Sequence, residues 1–127
     1  MGTNFSLMAS LVGTKYFKEA KGKILFLEDI NTTAWNIDRH FTTLNLADLL
    51  QDFEGFVFGD FTEILKTEDA TPMIEEIVQY HVTLSNKPGL YGMPFGHDDE
   101  QMLIPLNAKM SISSEPPYLE LLENVVE

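Results

Sequence analysis

The chain has 127 residues, 44% of them hydrophobic, with nine Phe, four Tyr and one Trp; that is enough apolar surface for one domain with its own core, and too much for a disordered chain. Twenty Asp and Glu against eight Lys and Arg leave a net charge of -12, which argues against nucleic acid or an anionic membrane as a partner. Cysteine is absent, so disulfides and thiolate metal sites are excluded, and no apolar run approaches the roughly 20 residues of a membrane-spanning helix.

The start, MGTNFSLMASLVG, carries no basic leader, so a cytoplasmic setting is expected. NFSLMASLVG reads as a short helix with Asn4 as its N-cap and Gly13 as its end. In KGKILFLED, four apolar residues without alternation (Ile24 to Leu27) suit a strand covered on both faces, with Glu28 and Asp29 at its C-terminal end. Residues 34–50 read as a helix with Ile37, Phe41, Leu44 and Asp48 on one face. EGFVFGDF gives a second buried strand between Gly55 and Gly59. Thr71 as N-cap and Pro72 at the first helical position open a helix that carries Ile74, Ile77, Val78, His81 and Val82 at helical spacing; Asn86, Pro88 and Gly89 end it. LYG, MLIPL and AKMSIS are short strand-like pieces, and EPPYLELLENVVE fits a strand or a helix. The expected fold is mixed α/β in a single domain over residues 1–127, with a mixed sheet that is partly parallel and partly antiparallel.

The chemistry centres on YGMPFGHDDE. Gly96 gives the backbone before His97 freedom to aim the imidazole, which suits a general base, while the plainer alternative is an exposed loop histidine among acids. Glu28 and Asp29 sit where α/β folds build sites, and a carboxylate there could hold a histidine tautomer; the alternative is a strand end reaching water. His81, on an apolar stripe, reads as a packed histidine, and His40 carries no stronger case. Asp98, Asp99 and Glu100 are consecutive, which rarely converges on one metal ion, so no metal is expected. There is no G-x-S-x-G elbow and no Cys to act as nucleophile.

Four blocks resemble one family in order and spacing: GTNFSLMASLVGT, KILFLEDINTTAWNIDRHFTTL, GFVFGDF and LYGMPFGHDDEQMLIPL. They are similar to the C-terminal domain of the LD-carboxypeptidases, peptidase family S66, which includes the microcin C resistance peptidases. That resemblance implies a swivelling β/β/α-type domain that supplies the glutamate and histidine of a Ser-Glu-His triad, falling on Glu28 and His97. It implies substrate-lining positions at Asn4, where an N-cap role is equally open, and at Thr32, a position often charged in the family. No cofactor is expected. The substrate would be a murein tetrapeptide cut beside a D-amino acid, or a peptidyl-nucleotide cut at its amide. The serine would come from an N-terminal domain absent from this chain, which would leave the chain a truncated domain, inactive alone and prone to homo-oligomerise through the uncovered face. A non-catalytic peptide- or protein-binding domain is the other reading. Asp38 and Arg39 match the family's I-D-R and read as a structural ion pair or helix cap.

Overall fold

The computed structural model describes residues 1–17, 19–65 and 73–125, Thr3 by its backbone only. Nine elements follow in order: β1 (Gly2–Asn4), α1 (Phe5–Leu11), β2 (Ile24–Ile30), α2 (Ala34–Leu46), β3 (Gly55–Thr62), α3 (Ile74–Ser85), β4 (Gly89–Leu90), β5 (Met110–Ser114) and β6 (Pro117–Leu121). Strands β1 to β4 form a parallel sheet in sequential order, and β5 and β6 form a separate antiparallel pair. The α/β class and both kinds of pairing occur as expected, but they are divided between two sheets rather than mixed in one.

Sequential parallel strands joined by right-handed crossovers put their helices on one face. Period-two alternation then sorts the apolar runs. Leu25, Leu27, Phe56 and Phe58 join Phe5, Phe41, Ile37 and Val78 in the main core beneath the three helices. Phe26 and Val57 point the other way, into a second cluster closed by Phe95, Met93, Ile104, Ile112 and Leu119. Both faces are covered, which is why neither strand alternates in sequence. Phe41 sits at the middle of the main core, edge-on to Phe5 at 4.7 Å and stacked on His81 at 4.6 Å.

Asn4 caps α1, its side-chain oxygen accepting the Leu7 N–H at 3.1 Å. Helix α2 ends earlier than expected, at Leu46 rather than residue 50. Asp48 adopts φ 57°, and Leu49 N–H bonds back to the Leu44 carbonyl at 2.9 Å. Asp48 therefore does not share the buried face; it is exposed, as an unpaired carboxylate must be, and an aspartate tolerates the left-handed turn. The turn carries Leu50 into the core while Leu46 is left in solvent. Thr71 and Pro72 lie outside the described residues. At the other end of α3, Asn86 supplies the left-handed cap (φ 55°), as its place after the apolar stripe suggested.

MLIPL forms no strand. Its Met102 and Ile104 pack on the second cluster, Leu103 points out, and Pro105 has no N–H for a ladder. EPPYLELL resolves as strand: β6 pairs with β5, Leu119 opposite Ile112. Asp38 and Arg39 do not pair with each other, because neighbours on a helix face different ways. Asp38 instead meets His81 Nε2 at 2.8 Å, tying α2 to α3, with His81 packed as expected.

Truncating Phe41 removes the residue that joins α1, α3 and β3. Phe41→Ala is expected to lower unfolding free energy by about 3–5 kcal/mol in urea titration; a loss under about 1 kcal/mol would mean this core is not the one that holds the domain.

Candidate active site

Three neighbouring strands deliver side chains to one end of the parallel sheet. Asn4 ends β1 and stands in register with Glu28 on β2. Opposite Glu28 the β2–β3 register shifts: Leu27 faces Phe58, and Asp29 faces Phe61. The extra residue on β3 falls at Gly59–Asp60, a bulge of the kind that re-aims side chains at sheet ends.

The loop after β4 is laid onto that bulge. The Phe95 carbonyl accepts the Asp60 N–H at 2.8 Å. A side chain at residue 59 would overlap that carbonyl and come within 2.7 Å of the Phe95 ring, so only glycine fits. Gly96 follows with φ 134°, a conformation that L side chains rarely adopt, and a Cβ there would press on Asp60 at 3.2 Å and Glu28 at 3.3 Å. The chain thus passes between two carboxylate-bearing strands, and the next residue is His97.

His97 Nδ1 lies 2.8 Å from Glu28 Oε2. The carboxylate can only accept, so Nδ1–H donates and Nε2 keeps the lone pair. The two side chains differ in exposure, 45% for His97 and 13% for Glu28. A shielded carboxylate holding an open imidazole is the arrangement of an oriented general base. Beside it, Gly2, Asn4, Phe26, Glu28, Phe95, Gly96, Ile104 and Leu106 line a cavity of about 280 Å³. The structure therefore brings Asn4, Glu28 and His97 to one place. Thr32 is not among the residues lining that cavity; it is buried beyond the end of β2, its carbonyl accepting the Leu65 N–H at 2.8 Å.

Asp29 has a different job from Glu28. It is 2% exposed and accepts four hydrogen bonds, from Ser6 Oγ (2.7 Å), Ser6 N–H (3.0 Å), Asn4 Nδ2 (3.0 Å) and its neighbour Ile30 N–H (2.9 Å). His40 Nε2 lies 3.2 Å from Ser6 Oγ. Asp29, Ser6 and His40 have the composition of a nucleophilic triad and the wrong wiring. The serine is in the middle with its proton on the carboxylate, so His40 must donate to Ser6 rather than take a proton from it. Burial holds the His40 imidazole below its ordinary value, with the Asp29 charge opposing and Arg39 adding to that effect.

Asp60 is the site neighbour that sequence reasoning missed, although its place at the end of the second buried strand is the same signal that singled out Glu28. Its Oδ2 is shut off from solvent with no hydrogen-bond partner among the described residues. Desolvation raises its pKa, and the Asp98 and Glu100 charges raise it further. With Gly92, Pro94, Asp98, Asp99 and Glu100 it rings an acidic hollow. Tyr91, just after β4, stacks on Phe61; its phenol is pushed up to about 12 by burial, then by the charge and hydrogen bond of Glu75 and by Asp60.

The family model described as the LD-carboxypeptidase C-terminal domain matches residues 1–112. The "Probable murein peptide carboxypeptidase" of Bacillus subtilis (strain 168) is 28% identical over 115 residues, covering 90% of this chain and 36% of that protein. Among solved structures, muramoyltetrapeptide carboxypeptidase from Oxalobacter formigenes superposes with TM-score 0.82 at 24% identity, over 93% of this chain and 42% of that one. The microcin C7 self immunity protein MccF, solved in complex with aspartyl sulfamoyl adenosine, gives TM-score 0.82 at 20% identity, over all of this chain and 38% of that one. The chain thus spans well under half the length of these relatives, and at such identities the structural likeness is one of fold.

Two outcomes follow from the geometry. Gly96→Ala should destabilise the fold by about 1–3 kcal/mol and abolish the downfield His97 Nδ1–H signal in NMR, because the added methyl pushes the loop off Glu28; a retained signal would show that the close approach is not required. Asp60, with its folded pKa raised, holds more protons folded than unfolded above the ordinary 3.8, so it erodes stability as pH rises through that window. Asp60→Asn should accordingly unfold at higher urea than wild type at pH 7, with the gain shrinking toward pH 3.8; an equal gain at both pH values would contradict the assignment.

Proposed function

The chain belongs to the LD-carboxypeptidase C-terminal domain family, and on that premise we propose that it supplies the glutamate and histidine of a Ser-Glu-His peptidase whose serine sits on a separate domain. The observation that carries this reading is the 2.8 Å bond between His97 Nδ1 and Glu28, which are 69 positions apart in the chain. Glu28 fixes the tautomer and stabilises the imidazolium that forms during reaction. His97 Nε2 takes the serine proton as the hydroxyl attacks the scissile carbonyl, then gives that proton to the leaving amine. A water, activated by the same nitrogen, releases the acyl group. The oxyanion donors would come with the serine domain.

The substrate class proposed is a murein tetrapeptide cut at the amide beside its terminal D-amino acid, with a peptidyl-nucleotide amide as the alternative, and Asn4 contacting it in the cavity beside Glu28. Thr32, buried behind the site, would shape it rather than touch the ligand. Leu106, which lines the cavity, is 59% exposed, and Leu103, three positions before it in the chain, is 91% exposed, which supports a covering partner there: the serine domain, or a second copy when that domain is missing.

Adding an LD-carboxypeptidase serine domain in trans should restore cleavage of an LD-tetrapeptide. His97→Ala and Glu28→Gln should each cost roughly 10⁴-fold in kcat. Full activity in the His97 variant would refute the triad; peptide binding without any restored cleavage would favour a non-catalytic binding domain. In light scattering the chain alone should run as a dimer or larger, and a monodisperse monomer would count against the uncovered face.

A further inference from the structure

Asp29 is a buried carboxylate that the proposed chemistry does not use. Four donors satisfy it, so its burial costs little. One of those donors is Asn4, and the Asn4 carboxamide has few options left. Its Oδ1 accepts from Leu7 N–H at 3.1 Å, and one Nδ2 proton goes to Asp29 Oδ1 at 3.0 Å. Flipping the amide would set its oxygen against the carboxylate and its NH₂ against a backbone N–H, two repulsive contacts, so the orientation is unambiguous. Left over are the second Nδ2 proton and one lone pair of an Oδ1 that is already held at the start of α1 by Leu7 N–H, on a residue that lines the cavity with Glu28.

We propose that Asp29 is a positioning residue that locks Asn4 as a hydrogen-bond donor at this cavity, so that the ligand atom met there is an acceptor, a carbonyl or carboxylate oxygen. An ammonium or amide N–H of the ligand would have to share the Oδ1 that Leu7 N–H already holds, so an acceptor is the better match. Ser6, donating to the opposite oxygen of Asp29, steadies the carboxylate without touching Asn4. The ligand half of the proposal rests on the peptidase reading; the positioning half does not.

The test is hydrogen exchange at the Asn4 side chain by NMR on the ¹⁵N-labelled chain. In wild type, one Nδ2 proton should be protected and the other should exchange freely. Asp29→Asn should accelerate exchange of the protected proton at least tenfold, while Ser6→Ala leaves it in place. Protection that survives Asp29→Asn overturns the proposal, as does equal loss in both variants. If Asp29→Asn does not fold, wild type decides: two freely exchanging protons refute the lock. With the serine domain added, Asp29→Asn should raise KM for an LD-tetrapeptide about tenfold with little change in kcat or in its pH profile. The exchange signature with KM unmoved would overturn the ligand half alone, because a measurable KM already requires cleavage; absence of any cleavage with the wild-type chain would instead fault the peptidase reading, and either result leaves the lock standing.

Discussion

The Phe95 carbonyl occupies the space where a side chain at residue 59 would stand, and the arrangement of the site depends on that vacancy. Because Gly59 is bare, the carbonyl can reach the Asp60 N–H and close the β3 bulge with the loop that follows β4. The Phe95 ring, edge-on to Phe26 at 5.9 Å, anchors the same loop in the second core. Gly96 then threads between Asp60 and Glu28, and His97 has only one place to go. Without this contact a loop holding Gly92, Pro94 and Gly96 would sample many conformations, and holding an imidazole on a carboxylate would cost far more entropy than one hydrogen bond returns.

Strand geometry divides the labour between the adjacent acids. Successive side chains on β2 point to opposite faces. Glu28 follows Phe26 toward the loop and cavity, and Asp29 follows Leu27 toward α1. One carboxylate is thereby largely shielded and holds an imidazole; the other is sealed and holds the end of β1 and the start of α1. Both tasks need an ionised acceptor, and a one-residue slip of the β2 register would exchange them.

Much of this could be read from the chain. The two buried strands, the α1 cap at Asn4, the Asn86 stop and the packed His81 follow from local rules. The partnership of His97 with Glu28 did not follow from local rules: on spacing alone His97 was a loop histidine, and only the four-block pattern joined it to a strand end 69 residues earlier. What stayed hidden was set by contacts distant in sequence. Leu50 reaches the core through a left-handed Asp48, not through a longer helix. Asp38 finds its partner on α3, 43 positions away, and not in Arg39 beside it. MLIPL has the composition of a strand and no partner strand to pair with. The burial of Thr32 depends on how β2 ends, which no periodicity reports.

Everything at this site turns on Glu28 accepting from one particular nitrogen of His97. The direct measurement is the tautomer of the neutral His97 ring by long-range ¹H–¹⁵N correlation in the wild-type chain. With Glu28 as acceptor the ring should carry its proton on Nδ1 and its lone pair on Nε2. A ring protonated on Nε2, or one exchanging freely between the two forms, would contradict it.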